Sequence, residues 1–171
     1  MTISMYKASA PIFVQFLNAL SGVLDKAAAH AEQKKIDQAY LVTARLYPDM
    51  FSLARQVQQA TAHAVNACAR TAGLEPPALP EAAATLADLK ARIAAAVDFV
   101  RSLKPAQIDG SEDRKIVVTM ASGTREFTGL SYLLNHCLPH FYFHVTTAYD
   151  ILRHNGVEIG KRDFMGTPVQ M

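Results

Sequence analysis

Residues 130–155 read LSYLLNHCLPHFYFHVTTAYDILRHN, and this stretch decides the fold. Leu133, Leu134, Leu138, Phe141, Phe143, Val145, Ala148, Ile151 and Leu152 leave no broad polar face on a helix. A helix that is apolar on most sides sits at the centre of a core or an interface. Gly156 ends it. Pro139 lies inside it, where a missing N–H and a ring that crowds the preceding turn predict a kink or a break into two segments. Such a helix needs other elements to cover it, and the rest of the chain supplies them.

Immediately upstream the period changes. Ile116, Val118 and Met120 alternate with Lys115, Val117 and Thr119, and Ala121-Ser122-Gly123 offers a turn. Thr124-Arg125-Glu126-Phe127-Thr128 then returns as a partner strand, so extended structure is expected over residues 114–128. A two-stranded hairpin is marginal alone and has to pack on helices. Further upstream the spacing is helical again. Thr85 is the expected cap of helix three, whose buried face is Leu86, Leu89, Ile93, Val97 and Val100 before Lys104-Pro105 stops it. Glu75-Pro76-Pro77-Ala78-Leu79-Pro80 is a loop, because its prolines cannot continue a helix.

Helix two is expected from Met50 to Thr71, with Leu53, Ala54, Val57, Ala60, Thr61, Ala64, Val65 and Cys68 inward and Gly73 as its stop. Pro48 and Asp49 separate it from a short helix that Asp37 caps and that runs to Leu46. Helix one opens with Ser9 as N-cap and Pro11 in the first turn. Ile12, Phe13, Phe16, Leu17, Leu20, Val23, Leu24, Ala27 and Ala31 form its apolar stripe, which ends near Lys34-Lys35. The fold class is therefore all-α: one domain over residues 1–171, a four-helix bundle with a small β-hairpin inserted between helices three and four.

Half of the 171 residues are apolar and 19% are charged, which provides for a sizeable core. The formal charge of +2 is spread over mixed signs, so no nucleic-acid partner is expected. No apolar run approaches the roughly 20 residues of a membrane span. The N-terminus, Met1 to Lys7, lacks the charged-then-apolar order of a signal peptide. Cys68 and Cys137 form no C-x-x-C pair and read as two buried free thiols, the pattern of a cytoplasmic protein.

Six histidines occur, and His136, His140 and His144 follow one another at four-residue steps in helix four. Four residues turn about 400°, so successive members lie about 40° apart on one side. An i, i+4 histidine pair can present two imidazoles to one metal ion, and His140-Phe141-Tyr142-Phe143-His144 is such a pair. Hydrogen-bonded core histidines satisfy the same spacing. A third ligand has to come from elsewhere. His63 in helix two is the best donor, flanked one turn away by small Ala60 and Ala67. It also lies at the edge of the apolar stripe, where a solvent-exposed position fits equally well. His30, at the polar end of helix one, and His154, beside the helix-terminating Asn155-Gly156, read as structural. Should Pro139 rotate the helix, His136 is the alternative ligand to His140.

Other chemistries are excluded. No Glu-x-x-His motif of a di-iron bundle occurs, no Walker-A or dinucleotide glycine loop, and no G-x-S-x-G elbow. Cys137 and His136 are helical neighbours pointing about 100° apart, so they are not a catalytic pair.

Several stretches carry a family resemblance: residues 45–51 (RLYPDMF) with Gln56-Val57-Gln58, residues 141–149 (FYFHVTTAY), residues 151–157 (ILRHNGV) and residues 160–164 (GKRDF). Together they make the chain similar, over nearly its whole length, to an uncharacterised branch of the DinB-like superfamily of four-helix-bundle metalloproteins. The resemblance implies a three-histidine metal site, one ligand from helix two and two from a His-x-x-x-His on helix four. Carried over, these are His63, His140 and His144. It further implies thiol-dependent transferase or isomerase chemistry and a homodimer.

Two functions follow. The first is a metal-dependent enzyme, with zinc or nickel on three neutral imidazoles and a position open for water or a thiolate. Arg153, Tyr149 and Asp49 are its polar candidates for orienting a small-molecule substrate. The second is a non-catalytic dimeric module, in which the histidines are structural and the aromatic excess of helix four forms a subunit interface. No motif names the substrate.

Overall fold

Pro11 in the first turn opens α1, Ala10–Lys34, in the computed structural model, which describes residues 3–81, 85–120 and 123–169. Ser9 occupies the expected cap position without capping. Its Oγ donates to the Met5 carbonyl at 2.6 Å, so the hydroxyl closes the preceding turn and leaves the helix N–H groups alone. Asp37 does cap, its carboxylate accepting from the Ala39 N–H at 2.9 Å, but α2 (Gln38–Thr43) stops before Leu46. The next long helix, α3 (Leu53–Thr71), starts three residues later than Met50, behind Ser52. Then come α4 (Leu86–Ser102), held by a Thr85–Asp88 capping box, and the single turn α5 (Pro105–Ile108).

The alternation around Ile116 becomes β1 (Lys115–Met120), paired antiparallel with β2 (Gly123–Thr128) in one register from Lys115↔Thr128 to Met120↔Gly123. Ile116 and Val118 are buried while Val117 is half exposed, which is the period of two expected of a strand packed on one face. Ala121 and Ser122 of the expected turn lie outside the described residues.

Pro139 does not break helix four. The chain runs from α6 (Gly129–Ser131) through a π-helical turn (Tyr132–Cys137) into α7 (Leu138–His154). The Leu138 N–H reaches back five residues to the Leu133 carbonyl. That wider turn gives the proline ring room just where an α-turn would clash, and π-turns of this kind recur at functional sites. The chain continues to a last short helix, α8 (Lys161–Met165).

The four long helices pack in a closed ring, α1 on α4, α4 on α3, α3 on α7 and α7 on α1, around one cluster of buried apolar side chains. The aromatics of helix four find most of their cover inside the chain. Phe141 meets Phe13 edge-on at 4.9 Å, Tyr142 meets Phe16 at 5.1 Å, and Tyr149 meets Phe164 of α8 at 5.7 Å. Of the four named aromatics in this helix, Phe143 alone is exposed, at 55%. Both cysteines are free and buried. Among the described residues no helix is long and apolar enough to cross a membrane.

Candidate metal centre

Gln59, His63, Asn66 and Arg70 recur at i, i+4, i+7 and i+11 and so share one face of α3. Across from them Tyr132, His136, His140 and His144 step by four along the π-turn and α7. All eight line one cavity of about 830 Å³, with Val118 and Thr119 of β1 also in its wall and Phe51 and Phe143 beside the histidines.

His63, His140 and His144 each offer a ring nitrogen, and the three donor atoms lie within 4.8 Å of one another. The His63 ring stands 4.8 Å from that of His140 and 5.6 Å from that of His144. His63 is half buried against α7 rather than turned to solvent, His144 is buried, and His140 is exposed at the cavity mouth. His136 is close, 4.7 Å from His140 and 5.7 Å from His63 by ring centre, yet its nitrogens are not part of the converging set. Its ring stacks on Tyr132 instead. His30 and His154 are remote from the cavity.

The buried Gln56 fixes the state of His144. Its amide nitrogen donates to the Phe51 carbonyl at 3.2 Å, which turns the amide oxygen toward His144 Nδ1, 2.7 Å away. An amide oxygen only accepts, so Nδ1 carries the proton and the Nε2 lone pair is left free. This is the outer-shell hydrogen bond by which metal-binding histidines are held in one tautomer and orientation. Electrostatics act the same way. Burial, followed by the neighbouring His140, His144 and His136, lowers the His63 pKa to about 3. Burial, with His140 and Arg55, lowers that of His144 to about 4. Both rings are therefore neutral and able to ligate at neutral pH.

The donor set fits a divalent ion of intermediate softness, since it holds imidazoles with no carboxylate or thiolate. Zinc with nitrogens at about 2.0–2.1 Å spaces them roughly 3.3 Å apart, shorter than the 4.8 Å that bounds the observed cluster.

Comparison with known proteins establishes the family and the fold. Residues 5–165 match the family described as Domain of unknown function (DUF1993). The chain belongs to the DUF1993 family. Its fold is that of a DinB family member protein from Shewanella denitrificans, whose crystal structure superposes with a TM-score of 0.86 at 36% identity. The match covers 97% of this chain and 94% of that one, so DUF1993 is a DinB-like branch. No curated protein matches the chain.

Three polar residues expected to orient a substrate are elsewhere in this DUF1993 chain. Arg153 and Asp49 are exposed outside the cavity, and Tyr149 packs on Phe164. The groups that do line it, Gln59, Asn66, Arg70 and Tyr132, follow from spacing. The first three share the helical face of His63, and Tyr132 precedes His136 by one turn.

Proposed function

We propose that this DUF1993 protein is a metal-dependent enzyme in which His63, His140 and His144 hold one divalent ion, zinc or nickel, with a coordination position open to the cavity. The convergence of three ring nitrogens within 4.8 Å, from two helices and beneath a cavity sized for a small molecule, carries this reading. A bound ion supplies Lewis acidity and lowers the pKa of a water or thiol at its open position.

The chain's own groups do the rest. Gln56 keeps the His144 Nε2 lone pair pointing outward, and burial keeps His63 unprotonated. Phe51 and Phe143 flank His144, with ring centres 6.4 and 5.3 Å away, and add apolar surface to the cavity wall. Gln59 and Asn66 offer amide groups to orient a bound molecule. The DinB-like kinship favours transfer or isomerisation that uses a low-molecular-weight thiol. The test is the visible absorption of cobalt-substituted protein on titration with a small thiol. A saturable spectral change supports the reading, and an unchanged spectrum at millimolar thiol contradicts it.

A second reading, a non-catalytic dimeric module, is favoured by the exposure of Tyr40, Tyr47, Phe51 and Phe143. Self-association itself is compatible with either. Light scattering is expected to give a mass near twice the chain's 18.7 kDa, and a monomer at micromolar concentration removes the dimer.

A further inference from the structure

We propose that Arg70 is the anion-binding end of this cavity, so that the molecule taken at the histidine centre carries a carboxylate. The thiol end of that molecule rests on the metal reading above, and the carboxylate end rests on Arg70 alone.

Arg70 lies seven residues beyond His63 on α3, two turns along the same face and about 10.5 Å along the axis. The arginine stem and a short-chain ligand share that span between them. The guanidinium is half buried in the cavity wall and held in place. Its Nη1 donates to the Tyr132 hydroxyl at 3.2 Å, and its carbon stands 5.8 Å from the centre of the Tyr132 ring. Burial, with Cys137 beside it, raises the Tyr132 pKa, so the phenol remains neutral and does not neutralise the arginine. Of the five N–H donors of a guanidinium, Tyr132 takes one.

Among the described residues no carboxylate supplies the counter-charge. The cavity lining contains no aspartate or glutamate. Among the described residues the ion pairs are Lys26–Asp163, Lys90–Asp25 and Lys115–Glu126, and none includes Arg70. Arg70 also borders a second depression with Glu75, but that carboxylate is not in ion-pair contact with it, and Arg114 and Lys115 share the same wall. Arg125 and Arg55 add to the positive field, each helping to lower the pKa of a site histidine, His136 and His144 respectively. A divalent ion on three neutral imidazoles would leave its own charge uncompensated as well. A half-buried cation with free donors, in a cavity without acids, is arranged to pair with a planar anion.

Calorimetric titration of zinc-loaded protein with 4-mercaptobutyrate and with its uncharged counterpart, 4-mercapto-1-butanol, tests the proposal, with zinc content measured in every sample. The wild type is expected to bind the carboxylate about tenfold or more tightly than the alcohol, the worth of a charge-assisted hydrogen bond. Arg70→Gln should abolish that preference while retaining one zinc per chain, and Arg70→Lys should restore part of it. Equal binding of both thiols by wild type, or a preference that survives Arg70→Gln, overturns the assignment and leaves the metal site standing. Wild type that takes up no zinc overturns the metal reading first. In that case glutarate binding to the metal-free protein decides for Arg70: binding lost in Arg70→Gln sustains the anion site, and no binding ends it.

Discussion

The two sides of α7 come from one aromatic-rich stretch and end in opposite states. Toward α1 and α8 the side chains interlock: Phe141 on Phe13, Tyr142 on Phe16, Tyr149 on Phe164. Toward α3 the same helix presents His140 and His144 to a cavity of about 830 Å³. Small residues do not explain the gap, since Phe51, Phe143, Tyr132 and Arg70 all border it. Beside a filled apolar face the same helix thus borders an open cavity whose wall mixes aromatic rings with four histidines, two amides and an arginine. One side of the helix is filled by packing, and the other is the side on which the proposed metal centre lies.

Truncation on the filled side should have the largest effect. Phe141→Ala removes a fully buried ring and is expected to cost about 3–5 kcal/mol in denaturant unfolding, with or without metal. A loss below about 1 kcal/mol would erase the distinction between the two sides.

On the cavity side, acid should be the next strongest perturbation. The folded-state pKa values of His63 and His144, about 3 and about 4, lie below the roughly 6.5 of an unfolded histidine. Between those values the unfolded chain binds more protons. Their contribution is thus fully present above about pH 6.5 and is lost as pH falls toward 4 and then 3. Unfolding of metal-free protein across this range should show the decline, and His63→Gln should flatten it. An unchanged slope in that variant would mean the acid sensitivity arises elsewhere.

Smaller effects sharpen the contrast. His144→Ala strands the buried Gln56 oxygen and should cost metal-free protein about 1–3 kcal/mol, a structural role added to any role as a ligand. Phe143→Ala, two residues from Phe141 but exposed, should cost less than about 1 kcal/mol. Matching losses for Phe141 and Phe143 in chemical denaturation would contradict the assignment of faces.

The period of the apolar residues made the four helices and the hairpin legible, because burial imposes 3.6 on a helix and 2 on a strand. Pro139 was legible only as a disturbance, since its effect depends on whether the preceding turn can widen to a five-residue bond, as the Leu138–Leu133 bond does. The converging histidines follow from four-residue spacing on α7 and one candidate on α3. What α3 turns toward α7 depends on packing across the bundle, so His63 read equally as surface. Gln56 gave no signal of its own, because a glutamine near a helix start reads as solvated until the His144 ring is found beside it. Tyr149 and Arg153 look functional in a helix rich in histidine, yet the first faces α8 and the second faces solvent.

His140 offers the cleanest test of the central claim, because it is exposed and its loss leaves Gln56 and His144 paired. The measurement is metal content per chain, after loading with zinc or nickel and removal of excess, for untagged wild type and His140→Ala. Wild type should retain one ion per chain and the variant none, while metal-free stabilities agree within about 0.5 kcal/mol. Wild type that retains no metal, or His140→Ala that retains a full equivalent, would contradict a site built on His63, His140 and His144.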